Sequence, residues 1–432
     1  MTEGFDEASE RYRRRTPTSA ELAERAQSVL PGGDTRSVTY HRPYPSFYTE
    51  AKGSRVTTAD GEVVIDFLNN YTQSVLGHAP ETVVEAACDR FKRGNDVAAP
   101  TEDIVELAER LVDRVPSIEQ VRFGNSGTEA TMNAIRAAIG WTGRDRILKV
   151  RGGYHGTHDT VEVAVGDEGA GEGVPESVQD RVDAVRFNDT EALKERFERY
   201  GDEYACFILE PIMGVAGMIP ATEEYLETAN DLTEETDSLL IFDEVMSFRL
   251  ALGGAQERYG VRPDLTALGK LIGGGLPVGA FGGRTDVMAQ FHPETGSLKH
   301  SGTFNGNPAT MAAGAAVLDQ LDSDRIDAMN ERGDDLRDRL ESVADDAGRQ
   351  VTVTGDGSLF QIHFSDGPVI DHDSSTAGEP PTETLFLLMR TDGILIAPRG
   401  MGNLSTATDD QDVDTFVDTF ENALERIPEA DG

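Results

Sequence analysis

The chain has 432 residues, 38% of them hydrophobic, 7% aromatic and 27% charged, so it is too long for one small core and rich enough in apolar side chains for a large one. Its 39 basic against 78 acidic residues leave a net charge of −39, a field that repels nucleic acid and anionic membrane and excludes both as partners. No apolar run reaches the length that spans a bilayer, and two isolated cysteines, Cys88 and Cys206, exclude a disulfide framework or a metal cluster.

The polar N-terminus carries Arg11, Arg13, Arg14 and Arg15 without a following apolar stretch, which argues against a signal peptide and leaves the cytoplasm as the expected compartment. Residues 18–30 predict a short amphipathic helix stopped by Pro31-Gly32-Gly33. Residues 55–67 predict a hairpin around Asp60-Gly61. From about 70 to 320 strands alternate with helical patterns, with strands at 121–123, 147–150, 205–209 and 239–242. The last two are continuous apolar runs, as strands buried on both faces of a parallel sheet require. A long charged helix follows, and its acidic residues Asp334, Asp335, Asp338, Glu341, Asp345 and Asp346 read as a solvated face. Strand-like runs at 351–353, 358–364 and 393–397 precede a final helix, and the acidic stretch 365–381 reads as a flexible surface loop. The expected organisation is an N-terminal segment at 1–69, a large α/β domain at 70–320 and a small α+β domain at 321–432.

Lysine is scarce: Lys52, Lys92, Lys149, Lys194, Lys270 and Lys299 are all there are. An acid-rich, lysine-poor surface suits concentrated salt, where the screening length falls to roughly 3 Å at ~1 M, and points to a salt-adapted source. Lys149 stands apart from the turn and surface lysines because it lies in a strand-like run.

Four constellations carry chemistry. Asn125-Ser126-Gly127-Thr128-Glu129-Ala130 follows a strand and opens a helix, where free N–H groups and the hydroxyls of Ser126 and Thr128 can face an anion. Taken alone it reads better as an ordinary helix cap, and it gains weight only from its neighbours. Asp243 ends the buried run 239–242, at the strand edge where open α/β sheets bind ligands. A protonated pyridine nitrogen would match its charge, Val245 would lie on the same side against a ring, and a plain turn cap is the alternative. Lys270 sits in an apolar, glycine-rich stretch that ends in Gly273-Gly274-Gly275, and desolvation there makes an amine a usable nucleophile and base. Gly153-Tyr154-His155-Gly156 offers a ring for stacking, and Ser301-Gly302-Thr303 a hydroxyl for a phosphate. No GxGxxG links a strand to a helix, so a dinucleotide site is excluded.

In this order the stretches NSGTEA, GGYHG, IFDEV, RPDLTALGKLIGGGLPVGAFGG and SGTFNGNP closely resemble the class III, fold-type I pyridoxal-phosphate aminotransferases, from about residue 31 to 408. Within them the chain is similar to the branch shared by glutamate-1-semialdehyde aminomutases and β-amino-acid (β-phenylalanine-type) aminotransferases. The resemblance implies a large domain with a mostly parallel seven-stranded sheet and a smaller α+β domain. It implies that Lys270 holds pyridoxal 5′-phosphate as a Schiff base and shuttles a proton, while Asp243 pairs with the pyridinium nitrogen. Ser126, Gly127 and Thr128 would cradle the phosphate, with Tyr154 and Val245 on opposite ring faces and His155 beside them in the cofactor site. Thr303 would reach the phosphate from a neighbouring subunit of a homodimer. Glu210, in Leu209-Glu210-Pro211, is either a partner of the ring hydroxyl or a structural carboxylate.

Two departures divide the branch. The aminomutase pattern after PGG reads V-N-S-P-V-R, whereas here Asp34-Thr35-Arg36-Ser37-Val38-Thr39 places the arginine earlier. The aminomutase pattern A-P-S-x-F-E supplies a glutamate, whereas Ala397-Pro398-Arg399-Gly400-Met401 supplies an arginine. Both look like the β-amino-acid aminotransferase pattern, in which arginines grip carboxylates through bidentate forks. The expectation is a transaminase passing an amino group to an acceptor such as 2-oxoglutarate. The alternatives are an aminomutase making 5-aminolevulinate and a non-catalytic binding protein of the same fold.

Overall fold

A computed structural model describes residues 3–166, 171, 173–375 and 380–428. The chain divides into two compact units, one of Met1–Pro80, Ala328–Val369 and Ser374–Gly432, the other of Glu81–Asp327 and Ile370–Asp373.

The second unit is built on a seven-stranded sheet in the order Gln120–Gly124, Gly279–Gly283, Leu265–Gly269, Leu239–Asp243, Tyr204–Leu209, Arg146–Val150, Val182–Val185. Gly279–Gly283 runs antiparallel to both neighbours, and the other pairs are parallel. Every residue of Tyr204–Leu209 and Leu239–Asp243 is buried, as their unbroken apolar pattern predicts for the middle of a covered sheet. The helix Gly127–Thr142 packs on this sheet through Ala130, Ala134, Ala137 and Ala138, whose small side chains allow close approach to Cys206, Ile208, Leu239 and Ile241. Gly279 and Gly283 are obligatory in their strand, because a Cβ would fall 1.9 Å from the Ser126 carbonyl oxygen and 2.2 Å from that of Asp264.

In the first unit the expected hairpin forms from Arg55–Thr58 and Val63–Asp66, with Gly61 at φ +82° in the turn. Tyr48–Lys52 and Ile394–Leu395 complete that sheet, and Thr352–Thr354, Leu359–His363 and Met401–Asn403 form a second. The arginine-bearing N-terminus is itself a helix, Glu3–Arg15, which buries Tyr12 with its hydroxyl 2.7 Å from Ser46 Oγ. The final helix, Asp410–Leu424, opens with a reciprocal cap between Asp409 and Asp412.

The stretch 365–381 departs from the expectation of a free loop. Asp371 pairs with Arg186 at 2.7 Å and Asp373 with Arg151 at 3.1 Å, so ion pairs tie residues 370–373 into the second unit. Residues 376–379 of that stretch lie outside the described residues.

Candidate active site

Five segments end at the carboxyl edge of the large sheet, where a doubly wound sheet leaves its crevice. They are Asn125-Ser126 after Gln120–Gly124, Gly153 to His155 after Arg146–Val150, Glu210 after Tyr204–Leu209, Asp243 closing Leu239–Asp243, and Lys270 after Leu265–Gly269.

Ser126 caps the helix Gly127–Thr142, its Oγ accepting from the Glu129 N–H at 3.1 Å. The first N–H groups, at Gly127 and Thr128, have no acceptor within the helix and present the positive end of its dipole. Thr128 Oγ1 accepts from the Thr157 N–H at 3.3 Å, and Gly156, at φ +96°, comes so close that a Cβ would fall 2.4 Å from that oxygen. Val245 lies against the same turn: a Cβ on Gly127 or on Gly269 would stand 3.2 and 3.4 Å from its methyl groups.

Asp243 is 5% exposed, and its Oδ2 lies 3.0 Å from Nδ1 of His155, which is 1% exposed. A carboxylate has no proton to offer, so Nδ1–H donates and Nε2 is the free acceptor of a neutral ring. Burial holds the His155 pKa below its usual value against the pull of Asp243. His155 therefore stands behind Asp243 and orients it. Glu210 is buried; its two oxygens accept from the N–H groups of Tyr154, at 3.0 Å, and Gly214, at 3.2 Å. Burial, with Asp243 nearby, raises its pKa far above the carboxylate range. The Tyr154 ring is 38% exposed.

Lys270 takes φ +51°, a left-handed backbone that strains a side-chain-bearing residue. Burial brings its amine down to about 8, with Asp243 and Glu210 opposing the shift and Arg249 adding to it. Arg249, fully buried in the turn Ser247–Leu250, was not singled out from the sequence, where it looks like any other arginine. Glu244, next to Asp243, is also fully buried and braces the strand end by accepting from Gln256 Nε2 at 2.9 Å and from the N–H groups of Ala255 and Gln256. Thr303 is exposed on its loop.

The two arginines singled out from the sequence lie in the first unit. Arg36 is exposed, and its Nη1 donates to Asn70 Oδ1 at 2.8 Å. Arg399 is exposed, and its backbone carbonyl accepts from Gln361 Nε2 at 3.1 Å. Between them the structure adds Tyr71, whose hydroxyl donates to the Val38 carbonyl at 2.5 Å. Burial raises the Tyr71 pKa to about 12, while Arg36 and Arg399 both pull it down, so the two guanidinium groups act on one phenol. Asn69, Asn70, Tyr71 and Thr72 all have left-handed backbones, at φ +46°, +49°, +57° and +78°. Such a turn costs roughly 1–2 kcal/mol per side-chain-bearing residue. It is held by Asp66 Oδ1, which accepts from the N–H groups of Leu68 and Asn69 at 2.7 and 2.9 Å.

Residues 37–424 match the family of class III aminotransferases. This chain belongs to that family. The glutamate-1-semialdehyde 2,1-aminomutase of Methanopyrus kandleri is 41% identical over 428 residues, covering 96% of this chain and 99% of the relative. An omega-transaminase from Sphaerobacter thermophilus is likewise 41% identical, with a TM-score of 0.92 and coverage of 96% and 99%. A β-phenylalanine aminotransferase from Variovorax paradoxus is 36% identical, with a TM-score of 0.91 and coverage of 97% and 96%. The fold is that of the fold-type I transferases, and the class III aminotransferases work with pyridoxal 5′-phosphate.

The side chains present fit this cofactor. A helix start with unbonded N–H groups suits a phosphate, a buried carboxylate braced by a neutral histidine suits a ring cation, and a lysine amine lowered to about 8 suits covalent attachment. Among the described residues no group of three or more histidine, cysteine or acidic side chains is arranged to hold a metal, and no helix is long and apolar enough to cross a membrane.

Proposed function

We propose that this class III enzyme is a transaminase that moves an amino group from a β-amino acid to a 2-oxo acid such as 2-oxoglutarate. One observation carries the reading: in a chain with 78 acidic against 39 basic residues, neither Arg36 nor Arg399 has a carboxylate within ion-pair distance among the described residues. The Arg36 guanidinium, held by the neutral amide of Asn70, and the exposed Arg399 guanidinium are left for a carboxylate that arrives with the substrate.

In this reading Arg36 and Arg399 take the carboxylates of donor and acceptor. The Gly127 and Thr128 N–H groups, with the Ser126 hydroxyl, hold the phosphate. Asp243 faces the ring nitrogen, Tyr154 and Val245 enclose the ring, and Glu210 fixes the Tyr154 backbone. Lys270 attaches the cofactor and then moves a proton at the carbon that bears the amine. The bound cofactor supplies the electron sink for that carbon. Thr303, exposed on its own chain, serves the phosphate of a second copy, which makes the working unit a homodimer. A salt-rich cytoplasm is the setting proposed for so acidic a chain.

A second reading, the aminomutase, is favoured by the names of the curated relatives, 41% identical in the Methanopyrus kandleri case. Overall identity does not separate the two, because the omega-transaminase structure is equally similar. The test is a spectrum of the purified protein in high salt, before and after 3-amino-3-phenylpropanoate without acceptor. The transaminase reading expects loss of the visible cofactor band and its return on adding 2-oxoglutarate. An unchanged band, with conversion of glutamate-1-semialdehyde to 5-aminolevulinate, assigns the chain to the aminomutases.

A further inference from the structure

Lys149 takes no part in the chemistry above, yet it is among the most unusual side chains of the protein. It is one of six lysines, it lies on the interior strand Arg146–Val150, and it is 0% exposed. Its Nζ donates to three backbone carbonyls, those of Gly153 at 3.0 Å, Val161 at 2.7 Å and Val163 at 2.8 Å. An ammonium group has three N–H donors, and all three are used.

These carbonyls belong to one loop. Gly152 N–H donates to the Ala164 carbonyl at 2.8 Å, so residues 152–164 leave the sheet edge and return to the same point. Gly152 and Ala164 close it with left-handed backbones at φ +80° and +56°. The loop carries Tyr154, held from outside by Glu210, and His155, whose carbonyl accepts from Thr131 Oγ1 at 2.6 Å. Lys149 fills the interior of the loop and meets carbonyls that no sheet ladder reaches. An unmet buried carbonyl is disfavoured by about 1–3 kcal/mol, a factor of roughly ten to a hundred in an opening equilibrium.

We propose that Lys149 is a positioning residue: its ammonium clamps the loop 152–164 from within, and so fixes the Tyr154 ring and the His155 imidazole that backs Asp243. A neutral amine has two N–H donors and would turn a lone pair toward the third carbonyl, so the geometry requires the cation. Burial works against that cation, and Glu162 supports it. Burial first, and then the same positive charge, disfavour a proton on His155 and on His158, in keeping with a neutral His155 ring that donates through Nδ1. Gly153 completes the fit, since a Cβ there would stand 3.1 Å from His155 Nε2.

The part of this inference that concerns the cofactor rests on the placement of Tyr154 and His155 proposed above; the loop clamp does not. The experiment is hydrogen exchange by mass spectrometry on the full-length holoenzyme and its Lys149→Met and Lys149→Ala variants, together with cofactor retention through dialysis. In both variants the amides of 153–163 are expected to exchange about tenfold faster or more, while those of Leu239–Asp243 stay slow. Propylammonium, which replaces the deleted part of the side chain in Lys149→Ala, is expected to restore slow exchange, and tetramethylammonium, which has no N–H, is not. If Lys149→Met fails to fold, the alanine variant refolded with propylammonium carries the same test. Unchanged exchange in 153–163, equal rescue by tetramethylammonium, or acceleration spread over the whole sheet would overturn the clamp. Faster loop exchange with undiminished cofactor retention supports the clamp and removes Tyr154 and His155 from the cofactor site.

Discussion

Arg36 reaches Asn70 across 2.8 Å, and Asn70 offers its amide oxygen from a left-handed backbone at φ +49°. An amide accepts the hydrogen bond without cancelling the charge, which a carboxylate at the same place would do. The strained turn thus fixes Arg36 through a neutral acceptor and leaves its charge without a compensating partner at that contact. Asn70→Asp is expected to raise KM for 3-amino-3-phenylpropanoate about tenfold, the loss of one charge-assisted contact, and to leave KM for 1-phenylethylamine unchanged. Steady-state kinetics with the two donors decides it, since an equal rise for both would mean that the turn and not the charge was disturbed.

Lys270→Ala is expected to abolish turnover and the visible cofactor band while the protein still melts cooperatively. A rate within tenfold of wild type would remove Lys270 from the chemistry. Only the free amine attacks an aldehyde, and the Lys270 amine is lowered to about 8 by burial. Capture of pyridoxal phosphate by the apoenzyme should therefore accelerate as pH rises toward about 8 and level off above it. A rate that keeps climbing toward pH ~10 would show an ordinary solvated lysine.

Asp243→Asn keeps the shape of the side chain and removes its charge. Breaking a buried ionic pairing is worth about 3–5 kcal/mol, so kcat should fall by roughly a hundredfold or more with the cofactor still retained. His155→Leu leaves Asp243 Oδ2 without its donor and should give a smaller loss in the same direction. Single-turnover rates of amine transfer in the two variants measure both effects, and an unaltered rate in Asp243→Asn would exclude it from the site.

With a net charge of −39 the folded chain repels itself, and salt screens that repulsion within roughly 10 Å at ~0.1 M and 3 Å at ~1 M. The melting temperature is expected to rise steeply between low and molar potassium chloride. A flat profile would mean that surface pairs such as Arg146–Asp183 and Arg110–Asp319 already compensate the excess of acid.

The strands and the charged residues at their ends were legible for a physical reason. A buried parallel strand must be apolar throughout, so 205–209 and 239–242 announce themselves, and a charged residue directly after such a run, Glu210 or Asp243, stands out against them. The strand Gly279–Gly283 was far harder to read, because three of its five residues are glycines with little strand preference. It exists because the Ser126 and Asp264 carbonyls pass where a side chain would be, a closeness visible only in three dimensions.

The sequence alone pointed to the family and singled out Lys270, Asp243 and the helix start at Ser126 as candidates, since each is a local pattern: a residue type at a fixed place relative to a strand or helix end. What the tertiary structure decided are contacts between residues far apart in the chain. These are His155 behind Asp243, Glu210 holding Tyr154, and Tyr71 under the joint influence of Arg36 and Arg399. Lys149 shows the difference most clearly. The sequence marked it as a lysine in a strand, but its three carbonyl partners depend on how a loop closes around it, and loop closure is fixed by sterics and burial that no residue pattern encodes.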